Sequence, residues 1–413
     1  MKKVLVYSHD TFGLGNIRRM LAISEHLLET MPDTSVLLIT GSPMAHGFRM
    51  HRRLDYIKLP CLSRTGREEY SAKSLGTGID DLMAMRSNMI LSAARNFDPD
   101  VVLIDKKPDG VKHELRSTLE FFRRKRPRTR LALVLRDILD SPEATILAWR
   151  ERKYHDILRS YFDSVLVLGA PEVFDTCEEY EFPPDICGKT RYCGYVRKST
   201  SAVDAAALRH KLLQEGERKI VLVTPGGGED GYHVVDQYLK SLDYSPAPET
   251  VRSVVVCGPE MPAAQREQTQ RTAAANPRVT ALDFTGELLS YMAASDVVVS
   301  MAGYNTISEI LSLEKRAVTV PRVRPVSEQW IRAERLARRG MLAAIHPDEL
   351  TPRRMAKAVW QELTVNRIRI SEGLWQDGLD TVSAWVAGSF ETKTEKAAAI
   401  AGRALWNAKL LMC

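Results

Sequence analysis

Short apolar runs rich in β-branched residues alternate with segments of helical period along most of this chain. That alternation leaves few folds open. VLVY (4–7), SVLLIT (35–40), DYIKLP (55–60), VVLID (101–105), LALVLRD (131–137) and SVLVLG (164–169) read as strands. Helical spacing fills 17–30, 79–97, 113–125 and 143–161 between them. Apolar strands separated by helices imply a parallel sheet covered on both faces, with right-handed crossovers. After a small, polar stretch at 196–206 the pattern begins again, with strands KIVLVTP (219–225), RSVVVCG (252–258), VTALDF (279–284), DVVVS (296–300) and AVTVP (317–321). The expected architecture is α/β: an N-terminal doubly wound domain at 1–198, a C-terminal one at 199–385, and a helical tail at 386–413 able to cross back onto the first half. A chain of 413 residues suits two cores better than one.

Composition removes several function classes. Hydrophobic residues are 44 % and charged residues 27 % of the chain, an ordinary globular balance. No apolar run approaches the ~20 residues a membrane helix needs. The first run, VLVYSHD, reads as a strand and not as a signal peptide, which makes the cytoplasm the expected compartment. Cys61, Cys177, Cys187, Cys193, Cys257 and Cys413 form no C-x-x-C pair, so neither a metal nor a redox role is expected of them. The net charge is +6, and part of the excess sits in RRKRPRTR (123–130). That run reads as a solvated loop, or as a patch for an anionic membrane surface or a phosphorylated substrate. No aromatic residue interleaves it, which argues against nucleic acid.

In parallel sheets of this kind ligands sit beyond the carboxyl ends of the strands. Polar residues gather there in the first half: Ser8-His9-Asp10, Gly41-Ser42, Asp105-Lys106 and Arg136-Asp137. Each alone can be a cap or turn residue, but four on one rim favour a cleft. Glycine-rich turns follow the first strand of each half, GLGN (13–16) and PGGGEDG (225–231). They let backbone N–H groups approach a ligand, and the helix N-terminus that follows favours an anion. The first turn lacks the third glycine and the acidic residue of a nicotinamide site, and the second lacks the Gly-Lys-Ser/Thr of a nucleotide-triphosphate loop.

The densest cluster is MAGYNTISE (301–309) after DVVVS. Gly303 is expected to permit a tight turn. Asn305 and Thr306 are expected to cap the next helix and to offer donors to a diphosphate. Glu309 stands three residues after Thr306, the spacing of a capping box, or of a carboxylate that accepts both hydroxyls of a ribose beside the phosphates. Arg322 and Arg324, in the loop before Glu328, are candidates to hold a donor phosphate.

Residues 219–345 resemble the C-terminal domain of family 28 glycosyltransferases, the MurG-like enzymes. The resemblance rests on Gly226-Gly227-Gly228, a strand ending in Cys257-Gly258, DFTGELLSYMAASDVVVSMAG, Thr306 with SEI, and an acid followed by glutamine at 328–329. GLGNIRRMLAIS resembles the family's N-terminal glycine loop, and the SHDT-x-GLG opening is similar to that of a set of predicted bacterial glycosyltransferases. The resemblance implies GT-B, two Rossmann-like domains with an interdomain cleft. It implies a metal-independent, inverting transferase that needs no cofactor and moves a sugar from a UDP-sugar, UDP-N-acetylglucosamine being one candidate. The implied acceptor is a hydroxyl of a glycan, a lipid-linked intermediate or a small molecule, with the inner membrane face as a possible working surface. By the same resemblance Thr285 contacts the uracil, Gly303 and Thr306 the phosphates, Glu309 the ribose, and Glu328 and Gln329 the donor sugar, while Gly226, Gly227 and Gly228 face the cleft. The acceptor-side loop comprises Gly13, Gly15 and Asn16, with Asp105 nearby. Asn16 stands where the family carries a histidine base and cannot be one itself. The candidate bases are therefore His9, Asp10, Asp105 and Asp137, with His9-Asp10 preferred. An epimerase or hydrolase on the same scaffold, or an inactive nucleotide-sugar-binding protein, fits the same features.

Overall fold

The computed structural model describes residues 1–9, 15–66, 69–197, 202–364 and 377–390. Its N-terminal sheet contains β1 (Lys2–Ser8), β2 (Thr34–Thr40), β3 (Leu54–Lys58), β6 (Val101–Asp105), β7 (Arg130–Arg136), β8 (Ser164–Leu168) and β9 (Thr190–Tyr192), with β4 (Leu62–Gly66) and β5 (Glu69–Ala72) forming a separate hairpin. The strands run in the order β3-β2-β1-β6-β7-β8-β9, all parallel. The C-terminal sheet holds β10 (Lys219–Thr224), β11 (Val251–Val256), β12 (Val279–Leu282), β13 (Val297–Ser300), β14 (Arg316–Thr319) and β15 (Ala343–Ala344) in the parallel order β12-β11-β10-β13-β14-β15.

The order explains the composition of the strands. Every residue of β6, β8, β11 and β13 is buried, because helices cover both faces. In each sheet the chain reverses its direction of travel once, between β1 and β6 and between β10 and β13. A cleft opens beyond the carboxyl ends at such switch points.

Three stretches take a more definite form in the structure. The stretch 143–161 is two helices, Pro142–Glu151 and Tyr154–Tyr161, separated by Lys153 in the left-handed region (φ 54°). The basic run 123–130 is not a free loop. Arg123 to Lys125 close the helix Arg116–Lys125, where cations suit the helix dipole, and Arg130 opens β7 and pairs with Asp163. Glu328 and Gln329 lie in the first turn of the helix Glu328–Arg338, where the sequence carries helical period over 328–339.

The helix Gly378–Ser389 packs against the N-terminal half. Thr30 and Ser383 share a hydroxyl hydrogen bond of 2.9 Å, His26 lies 3.0 Å from Asp380, and Trp385 Nε1 donates to Ser164. Residues 391–413, most of the expected tail, lie outside the described residues, as do Asp10 and Gly13. Among the described residues no helix is long and apolar enough to cross a membrane.

Candidate active site

The largest concentration of candidate residues lines one cleft between the carboxyl ends of the two sheets. From the C-terminal half come Gly226 to Asp230 after β10, Gly258 to Glu260 after β11, Phe284 and Thr285 after β12, and Gly303, Asn305, Thr306 and Glu309 after β13. Arg322, Glu328 and Gln329 follow β14. The N-terminal half contributes Gly15, Asn16, Arg18, Arg19 and Arg136.

Backbone geometry shapes this wall. Gly228 has φ 96° and Gly258 φ 94°, the region where side chains are strained. A Cβ on Gly228 would stand 2.4 Å from the Cys257 carbonyl oxygen, and one on Gly258 2.5 Å from that of Gly226. The two turns therefore touch backbone to backbone, and only glycine fits. Gly303 is different. Its φ of −63° and ψ of 143° are open to any residue, and nothing lies within 4 Å of its missing Cβ. It is not a tight-turn glycine; it leaves open space at the start of the helix Tyr304–Ser312.

Gly303 is also the N-cap of that helix, with no side-chain cap bond. Thr306 is thus the third helical residue, and the Thr306/Glu309 spacing is not a capping box. Asn305 does not cap the helix either: its amide donates to the Gly15 carbonyl at 3.2 Å, across the cleft. Gly303 to Thr306, the start of the helix, line the cavity, and Glu309 lines it one turn on, nine per cent exposed.

The far wall is cationic. Arg322 pairs with Asp230 at 3.1 Å and its backbone N–H donates to Gln329 Oε1 at 3.1 Å. Arg136, reaching in from the end of β7, holds Glu328 at 2.8 Å. The Nε atoms of Arg136 and Arg322 are buried and make no hydrogen bond among the described residues. Burial raises the Glu328 carboxyl, but Arg136, Arg332, Arg322 and Lys106 outweigh it and hold the group below its ordinary range. Glu328 is therefore an anion committed to arginines, not a loop carboxylate free to swing. Arg324 does not line the cleft; it borders a separate hollow with His346 and Pro347.

Two of the candidate bases are engaged by buried arginines. Asp137 is one per cent exposed and takes Arg332 on both oxygens, at 2.7 and 2.8 Å, together with the Tyr195 hydroxyl at 3.0 Å. Asp105 is fully buried, accepting from Arg19 at 2.6 Å and from the His9 backbone N–H at 3.3 Å. Both carboxylates are structural counter-ions. His9 is one per cent exposed and is not among the described residues that line the cleft. Its carbonyl accepts from the Asn16 amide, so Asn16 ties the end of β1 to the next helix. Arg332 itself was not foreseen. Its only local signal is Glu328 four residues earlier, an i,i+4 pair 3.3 Å apart.

Residues 222–367 match the C-terminal domain of glycosyltransferase family 28. An uncharacterized glycosyltransferase of Methanopyrus kandleri is 26 % identical over 264 residues, 63 % of this chain and 70 % of that protein. A UDP-N-acetylglucosamine–N-acetylmuramyl-(pentapeptide) pyrophosphoryl-undecaprenol N-acetylglucosamine transferase of Fusobacterium nucleatum is 30 % identical over 128 residues, 30 % of this chain and 34 % of that enzyme. Among solved structures, MurG of Acinetobacter baumannii superposes with a TM-score of 0.58 at 12 % identity, covering 94 % of this chain and 100 % of that one, a likeness of fold.

Removing one partner of the buried Arg332–Asp137 pair leaves a charge without compensation. Arg332→Met is expected to cost about 3–5 kcal/mol in urea unfolding, and Arg332→Met with Asp137→Asn to recover most of it. Equal losses in the single and double variants would show that the pair does not carry this interface.

Proposed function

We propose that this chain, a glycosyltransferase on a GT-B scaffold whose C-terminal domain resembles family 28, takes its sugar from a UDP-sugar and transfers it with inversion and without a metal ion. UDP-N-acetylglucosamine, the donor in the printed name of the Fusobacterium relative, is the first donor to test. The observation that carries the reading is the cavity at the start of the helix Tyr304–Ser312. It joins a helix N-terminus without a side-chain cap, the Thr306 hydroxyl, an open space at Gly303 and a carboxylate one turn further on. A diphosphate suits the N–H groups and the vicinal diol of a ribose suits Glu309. Phe284, 58 % exposed beside Thr285, offers a ring face to the base.

In this reading an acceptor oxygen attacks the anomeric carbon as the bond from that carbon to the diphosphate oxygen breaks, and UDP leaves with the electron pair. The helix N-terminus, Arg322 and Arg136 stabilise the negative charge that develops on the leaving oxygen. With Asp105 and Asp137 engaged by arginines, the pair His9-Asp10 at the end of β1 is the base this reading prefers for the acceptor proton. The work takes place in the cytoplasm, at the inner membrane face where the acceptor is lipid-linked.

Two expectations test this. With a panel of nucleotide-sugars and a cell extract as acceptor source, UDP appears together with a sugar-bearing product. UDP release without such a product would indicate a hydrolase. Calorimetric binding of UDP should weaken at least about tenfold in Glu309→Gln and in Gly303→Val, with Tm little changed in Gly303→Val, where nothing lies within 4 Å of the missing Cβ. Undiminished binding in both would remove the donor site from this turn. Separately, His9→Gln should lower kcat by about a hundredfold or more with UDP affinity intact, and unchanged turnover would exclude it as the base.

A further inference from the structure

A second cavity adjoins the first, and Arg136 lines both. It lies beyond the carboxyl ends of β6 and β7, over the helix Pro142–Glu151. One side is cationic, with Lys106, Lys107 and Arg136; the other is apolar, with Leu139, Leu147 and Trp149. Leu147 is 56 % exposed at the rim, and Val326 closes the cavity from the C-terminal half.

The loop that presents the lysines is conformationally costly. Lys106 (φ 68°), Lys112 (φ 43°) and His113 (φ 67°) all occupy the left-handed region within eight residues, with Gly110 (φ 75°) between them. Three side-chain-bearing residues in that region within one loop concentrate strain of a kind found at functional sites. The loop also leaves the sheet at its switch point, where β6 lies beside β1. No element of the donor site explains it.

The charges facing Lys106 do not balance. Among the described residues no carboxylate lies within ion-pair distance of its amine. Asp105 is committed to Arg19, and Glu328 to Arg136 and Arg332. Asp140 accepts from the Ser327 backbone N–H at 3.0 Å, and Glu151 and Arg152, of opposite charge, also line the cavity. Burial, then Arg136 and Lys107, push the Lys106 amine down to about 7. A half-buried amine without a counter-ion, set against an apolar wall, is completed by an anion attached to a hydrophobic body.

We propose that this second cavity holds the acceptor, and that the acceptor carries a phosphate or carboxylate on an apolar or aromatic frame, with Lys106 as its counter-ion. The inference rests on the glycosyltransferase reading above. It assigns the acceptor class by charge and shape, and the shared Arg136 places the acceptor next to the donor.

The test uses the full chain saturated with UDP, so that added anions cannot occupy the donor cleft. Benzoate, phenyl phosphate and inorganic phosphate are titrated by NMR. Both aryl anions should bind, and inorganic phosphate at least about tenfold more weakly, because it cannot use the apolar wall. The stronger of the two aryl anions identifies the acceptor's anionic group. Lys106→Met should weaken both aryl anions at least about tenfold, whereas Lys106→Arg should stay within about threefold of wild type. Benzoate keeps its charge across the range, so its affinity should fall from about pH 6 to about pH 9 as Lys106 loses its proton. UDP binding by each variant shows that it is folded. The proposal is overturned if neither aryl anion binds the UDP-loaded protein, if Lys106→Met binds them as wild type does, or if inorganic phosphate binds equally well. Failure of UDP itself to bind would instead sink the donor reading.

Discussion

The cleft depends on one buried ion pair that joins the two halves. Arg332 and Asp137 are 195 residues apart in sequence and almost wholly removed from water. Burying two charges costs several kcal/mol per ion unless the geometry satisfies them. Here it does. Asp137 receives both guanidinium nitrogens and the Tyr195 hydroxyl, and Arg332 also donates to the Ala302 carbonyl at 2.8 Å. That last bond matters most for function, because Ala302 directly precedes the Gly303 turn. The same arginine therefore holds the domain interface and the strand end that leads into the cavity at Gly303.

Tyr304 extends this coupling. Its ring lies 5.7 Å from the guanidinium carbons of both Arg19 and Arg332 and stacks at 6.0 Å on Tyr195. Arg19 in turn holds Asp105 at the end of β6. The first residue of the donor helix is thus clasped between cations from each half, one anchored to each of two neighbouring strands. On the N-terminal rim Asp105 and Asp137 are tied into ion pairs with Arg19 and Arg332. They hold the opposite wall in register.

This division explains what was legible in the sequence. Apolar runs located β1, β2, β3, β6, β7 and β8 and the first five strands of the second sheet, because strands buried on both faces must be continuously hydrophobic. The β4–β5 hairpin is polar and stands outside the sheets, while β9 and β15 have three and two residues. None of these carries a pattern long enough to read. The cluster of Gly303, Asn305, Thr306 and Glu309 on one cleft was visible because its parts are nearly consecutive, a turn and the helix that follows it. The roles of Asp105 and Asp137 were not, because their partners lie 86 and 195 residues away. A carboxylate at a strand end looks the same in sequence whether it takes a proton or neutralises a buried arginine. Gly303 shows the reverse error: the glycine was visible, but its reason is the space it leaves and not the turn it permits.

Arg136 links these arguments. It leaves the strand end that holds Asp137, pairs with Glu328, keeps an unbonded Nε, and borders both cavities. Burial lowers its pKa and Glu328 raises it, while Arg332 and Arg19 add to the strain of crowded cations. The cleft sets five carboxylates against its four arginines, whereas the second cavity sets Lys106, Lys107, Arg136 and Arg152 against Asp140 and Glu151 alone, an excess that an anion would satisfy. An anion in either cavity meets the same guanidinium, at Coulomb energies that a partly dry site screens far less than water does. Occupancy of one cavity therefore alters the field in the other through a single side chain, without any movement of the domains.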